Sequence, residues 1–198
     1  MTPVQGVDLA FWYILGFSAV LLFGITVVMI YFVVKYRRSK NPVASDIRDN
    51  YPLEIIWTIV PTIIALSMFY VGWSSYLGLR NVPDDAMEIE VLGQQYSWIF
   101  VYDNDKETEN ELVVPLGEAI KLNIESLDVL HSFFIPAFRI KVDVVKGMPT
   151  YAWFLADEVG EYDIQCTEYC GVDHSAMVGT LKIVPKDEFE IWLEEESD

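Results

Sequence analysis

The sequence predicts two membrane-crossing helices followed by an exported all-β domain, an antiparallel sandwich or barrel. Three observations carry this prediction. Charge is segregated: residues 1–81 hold 6 Lys/Arg and 4 Asp/Glu, whereas residues 82–198 hold 7 Lys/Arg and 26 Asp/Glu. Two long runs near the start carry no charge at all. From Glu88 onward the chain breaks into short segments of alternating apolar and polar residues, joined by Gly, Pro, Asn and Asp. A positive mean hydropathy and a net charge of −17 fit poorly in one globule, and the segregation resolves the conflict.

The first run, Phe11 to Val34, has 24 residues. At about 1.5 Å per residue it covers roughly 36 Å, enough for a hydrocarbon core of ~30 Å with some tilt. It lacks a basic leader and is too long for a cleaved signal peptide. The second run, Ile55 to Leu79, contains Pro61, which is tolerable in a membrane where neighbouring helices absorb the kink. Trp12, Tyr13, Tyr36, Trp57, Trp73 and Tyr76 crowd the ends, as an interfacial belt does. Between the runs lie Lys35, Arg37, Arg38, Lys40 and Arg48. Basic loops stay inside, so this loop is expected in the cytoplasm and both termini outside. The expected organisation is a hairpin over 1–81 with spans about 11–35 and 55–78, a linker over 82–87, and an exported domain over 88–198. Glu54 stands just before the second run. A carboxylate there is by default interfacial, and it could also be the mouth of a proton path.

In the exported domain the segments "EIEVLGQQ", "YSWIFVYD", "ELVVPLG", "AIKLNIES", "FRIKVDVV", "TYAWFLA", "GEYDIQC" and "MVGTLKIV" read as strands. Only the tail "KDEFEIWLEEESD" reads as a helix. A net charge of −19 from residue 82 onward repels nucleic-acid phosphates and attracts basic partners. The densest acidic run outside the tail, Asp103 to Glu111, is a solvated hairpin tip or a docking place for such a partner.

The chain has two Cys and two His, and three of these four stand in "CTEYCGVDHSAM", Cys166 to Met177; the fourth is His131 in "VLHSFFIP". Two cysteines in an exported domain ordinarily form a disulfide. Against that stand the nearby His174 and Met177, the second histidine at a strand end, and a turn-rich loop holding Gly171 and Asp173. Two Cys and two His alone suit tetrahedral zinc. A thioether beside thiolate and imidazole points instead to copper. Two thiolates could bridge a pair of coppers, each with one imidazole. Met177 and the main-chain oxygen of Glu168 could then fill the weak positions. Taken singly, Met177 is a core residue and His131 a buried histidine.

These motifs together resemble subunit II of the haem–copper oxidases, the cytochrome c oxidase type, over nearly the whole chain. The resemblance implies a cupredoxin-like Greek-key barrel after the transmembrane hairpin. It implies a dinuclear Cu-A site of two copper ions on His131, Cys166, Glu168 (main-chain oxygen), Cys170, His174 and Met177. The Glu168 carboxylate would also bind Mg or Mn at the border with subunit I, and Asp143 would face that subunit. "EIIWTIVP" resembles the family's second-span start, which makes Glu54 a proton-path entrance. The implied function is to take electrons from a cytochrome c-type donor and pass them to haem in the catalytic subunit, where oxygen is reduced to water with proton translocation. Expected partners are subunit I, other oxidase subunits, the donor and membrane lipid, with no nucleic acid. Because the sequence stops at Asp198, the donor is expected to be a separate protein. A Cu-A relay for another terminal reductase, such as a nitric oxide reductase, is the alternative. A copper-free quinol-oxidase type and a zinc- or disulfide-stabilised assembly factor are weaker ones. Two stretches depart from the family pattern. Tyr96 stands where Trp is usual at the point of electron entrance, with Trp98 two residues on, so both are candidates. Lys146 and Met148 stand where Pro and Arg are common.

Overall fold

The computed structural model describes residues 2–43 and 49–195, so Arg48 of the basic loop lies outside the described residues. The chain divides into a helical unit, Gly6–Ser75, and a β-rich unit that takes in residues 2–5 and the chain from Tyr76 onward.

Helix α1 runs Pro3–Lys35 and helix α2 runs Tyr51–Arg80. Both are long and apolar enough to cross a membrane. Helix α1 begins eight residues before the uncharged run. Pro3 is suited to a first helical position, and a single Asp8 does not break a helix of 33 residues. Asn50 caps α2: its side-chain oxygen accepts the Leu53 N–H at 3.2 Å. Glu54 lies in the first turn. No residue of α2 is buried, and large apolar side chains such as Phe23, Phe69 and Ile63 point outward. A surface of this kind is matched to lipid or to other apolar helices, not to water. The helices touch through polar contacts suited to an apolar medium. Tyr13 donates to Ser67 Oγ at 3.0 Å, and Ser75 Oγ donates to the Gly6 carbonyl at 2.8 Å.

Among the described residues the β-rich unit has ten strands: β1 Met87–Gln94, β2 Ser97–Val101, β3 Glu107–Glu109, β4 Glu111–Pro115, β5 Ala119–Ser126, β6 His131–Ile135, β7 Ile140–Val144, β8 Thr150–Leu155, β9 Gly160–Cys166 and β10 Val178–Val184. A final helix, α3, spans Lys186–Glu194. The strands form two five-stranded sheets, ordered β3-β2-β1-β5-β8 and β4-β10-β9-β6-β7. Most pairs are antiparallel as expected, but β1 with β5 and β4 with β10 are parallel. The reason is connectivity. Strand β4 leaves the first sheet for the second before β5 returns to lie beside β1, so the returning strand keeps its neighbour's direction. Alternation decides what is inside. In β5, Ile120, Leu122 and Ile124 are buried, and they meet Phe133, Ile135, Ile164 and Leu181 of the other sheet in one core.

Two polar devices tie the periphery to that core. Buried Tyr102, just after β2, donates its hydroxyl to the Val113 carbonyl at 3.0 Å and accepts the Val113 N–H at 2.8 Å. It thereby pairs the outer side of the edge strand β4. Burial pushes its phenol well above the usual range. In the β2–β3 turn, Lys106 Nζ donates to the carbonyls of Trp192 and Glu195 at 2.5 and 2.8 Å, and Asn104 donates to that of Leu193 at 3.0 Å. These bonds satisfy the open carbonyls at the end of α3.

Replacing Tyr102 by Phe keeps the packing and strands both Val113 groups in an apolar setting. The expected cost is about 1–3 kcal/mol. Urea unfolding of the β domain should show a lower midpoint with an unchanged slope.

Candidate metal centre

Two separate stretches supply the site, and sheet pairing brings them together. His131 opens β6 and Cys166 closes β9; these strands pair with Phe133 opposite Cys166. The chain then loops over Thr167–Met177 before β10. The loop is closed by Cys166 N–H to the Met177 carbonyl at 3.2 Å, and Met177 N–H returns to the His174 carbonyl at 3.3 Å. A short 3-10 turn, His174–Ala176, aims the imidazole inward.

The donor atoms converge. The donor atoms of His131, Cys166 and Cys170 lie within 4.8 Å of one another. The two Sγ atoms are 3.9 Å apart, and both thiols are free. His131 Nδ1 is 3.9 Å from Cys166 Sγ, and His174 Nδ1 is 3.6 Å from Cys170 Sγ. Met177 Sδ is 3.8 Å from Cys170 Sγ. The Cys166 thiol donates to the Glu168 carbonyl at 3.3 Å. His131 is 0% exposed, Met177 1%, Cys170 5% and Cys166 8%. Sulfurs at that separation are well beyond the ~2.05 Å of a disulfide. The arrangement is two unbonded thiols flanked by two imidazoles, a thioether and a carbonyl. This donor set is consistent with a Cu-A copper site, since thioether and thiolate together suit copper.

A hydrogen bond orients the His131 imidazole. Asp128 Oδ1 lies 2.8 Å from His131 Nε2. That nitrogen donates, so the lone pair of Nδ1 faces the sulfurs. Burial works against a charged Asp128. Hydrogen bonds from His131 and from the N–H groups of Gln95 and Val129 outweigh it and hold the carboxyl below its usual range. Burial first, and then the neighbouring Cys166, push the Cys170 thiol up to about 11.

The remaining candidates fall in different places. Tyr96, half-buried in the β1–β2 turn, reaches the cysteine loop, where its hydroxyl accepts the Val172 N–H at 3.0 Å. Trp98 is 0% exposed, its ring edge-on to His131 and Phe133 at 5.9 and 5.0 Å. With no surface of its own, Trp98 offers no direct contact to a docking donor. Alternation in β2 turns it into the core. The acidic run Asp103–Glu111 turns at the Val101 end of β2 and comes back along that strand, with Glu109 opposite Ile99. It forms the β2–β3 turn, β3 and the first residue of β4, and one of its members, Lys106, is committed to α3. Glu54 belongs to the helical unit.

Sequence reasoning missed Asp128 and Gln95. The faint signal for Asp128 was an acid three residues before a histidine; Gln95 gave none, because its partners, Asp128 and Cys170, are remote in sequence.

Comparison with known proteins agrees with this geometry. Residues 2–74 match the profile of the cytochrome c oxidase subunit II transmembrane domain, and residues 104–184 match that of its periplasmic domain. Cytochrome c oxidase subunit 2 of Alkalihalophilus pseudofirmus is 32% identical over 91% of this chain, and the chain spans 56% of that protein's length. Its counterpart in Cereibacter sphaeroides is 26% identical over 92% of this chain, which spans 73% of that protein. The crystal structure of the periplasmic domain of subunit II of cytochrome oxidase from Bradyrhizobium japonicum superposes with a TM-score of 0.55. It is 31% identical and covers 58% of this chain and 95% of its own.

The thiolate is the reactive form of cysteine. In metal-free, reduced protein, a thiol reagent should find two free thiols per chain after unfolding. In the folded protein Cys170 should react slowly at neutral pH, with a rate that climbs until about pH 11. A fast, pH-independent reaction would contradict its burial.

Proposed function

We propose a function from one premise: this chain belongs to the cytochrome c oxidase subunit II family. It serves as the electron-accepting subunit of a haem–copper terminal oxidase. The observation that carries this reading is the convergence of four other donors on two unbonded thiols 3.9 Å apart. His131, Cys166, Cys170, His174, Met177 and the main-chain oxygen of Glu168 would hold two copper ions. When bound, that Cu-A pair would supply one-electron chemistry between a cytochrome c-type donor and haem in subunit I, where oxygen is reduced to water.

The chain's own residues prepare the site. Asp128 fixes the His131 tautomer, and burial excludes water from His131, Met177 and both sulfurs. Free thiols side by side favour bridging over separate ligation, and the thioether disfavours zinc. The acidic β domain steers a cationic donor, at a rate that falls as salt rises. Tyr169 and Val172, exposed on the cysteine loop, offer apolar contact beside the site.

By family resemblance, the Glu168 carboxylate would take Mg or Mn at the border with subunit I, with Asp143 facing the same partner. Glu54, at the start of α2, would open a proton path into subunit I. The basic residues between the helices favour a cytoplasmic loop, which leaves both termini and the β domain on the periplasmic side.

A soluble fragment beginning at residue 82, loaded with copper, should bind two coppers and give a delocalised mixed-valence EPR signal. One zinc, or no copper, would overturn the reading. Met177→Leu should retain copper and shift its potential, because a weak ligand tunes more than it holds; loss of all copper in that variant would count against its role. Glu54→Gln in the intact complex should slow turnover coupled to proton uptake while the copper spectrum stays unchanged.

A further inference from the structure

The cysteine loop is gripped from outside by a two-residue turn that carries no ligand. Gln95 and Tyr96 join β1 to β2. Gln95 Nε2 donates to the Cys170 carbonyl at 2.6 Å, and Gln95 N–H donates to Asp128 Oδ2 at 2.7 Å. The Tyr96 hydroxyl accepts the Val172 N–H at 3.0 Å. One turn therefore touches the Asp128 that orients His131 and the backbone on both sides of Gly171.

Gly171 records how close this grip is. Its φ is +145°, and a Cβ there would lie 2.4 Å from the Tyr96 hydroxyl oxygen and 2.8 Å from Gln95 Nε2. Only a residue without a side chain lets the turn approach. Val172 is 89% exposed, so without Tyr96 its N–H would face water and its segment would lose its one tie to the turn at that point. The chemistry depends on oxygen. A phenol offers an acceptor at this spot, whereas an indole N–H can only donate.

We infer that the Tyr96 hydroxyl is a positioning group that latches the cysteine loop through the Val172 N–H and, with Gln95, holds Cys170 and His131 in mutual register. Its importance for copper rests on the function proposed above; the latch itself does not need the metal to be observed.

The test uses the full chain in detergent, both metal-free and copper-loaded, as wild type, Tyr96→Phe and Tyr96→Trp. Phe removes only the oxygen. Amide hydrogen exchange at Val172 should accelerate about 5- to 10-fold in both variants, the equivalent of one lost hydrogen bond. Exchange at Leu122 in the core should stay unchanged. In copper-loaded protein, loss of copper to a chelator should quicken in the same variants, and the EPR hyperfine pattern should change. Unchanged Val172 exchange in Tyr96→Phe would overturn the latch, as would equal acceleration throughout the β domain or full protection in Tyr96→Trp. If wild type takes up no copper while Val172 still responds, the metal reading fails and the latch stands.

Discussion

Two buried sulfur atoms lie 3.9 Å apart, near van der Waals contact, and are not bonded. Keeping them so is the constraint around which the β domain is organised. The loop cannot do it alone, because eleven residues with a left-handed glycine among them have many conformations. Its ends are fixed by β9 and β10, its floor by β6, and its outer side by the Gln95–Tyr96 turn. Each restraint is an ordinary hydrogen bond of backbone, amide or phenol. Together they leave the sulfurs with neighbours that offer lone pairs.

The surroundings are arranged for the same end. Asp128 spends its two oxygens on His131, Gln95 and Val129, so one carboxylate orients a ligand candidate and anchors the turn that grips the loop. Trp98 seals the inner side of His131 without offering a donor to the sulfurs. The domain's acidity stays on its surface, and the cluster itself takes in no carboxylate side chain among the described residues.

Much of this was legible in the sequence for physical reasons. Uncharged runs of membrane length admit few interpretations, and period-two alternation marked the strands because one face of each sheet is buried. The cluster was legible because Cys, His and Met are scarce and their spacing is short. Other features were hidden because they depend on distant partners. Nothing local to Gln95 or Asp128 announces a carbonyl or an imidazole tens of residues away. The burial of Trp98 and the exposure of its neighbour's turn follow from which side of β2 faces the core, a choice that aromatic character alone leaves open. The two parallel pairs follow from a sheet-to-sheet crossing, which no alternation pattern encodes.

His131 and Cys166 stand 35 residues apart and meet only when β6 zips against β9. The ligand cluster is thus a product of finished folding, not a feature of any local peptide. Until those strands have paired, the chain holds only scattered thiols and a stray imidazole. The site can therefore offer its full set of donors only after the long-range pairing of these strands is complete.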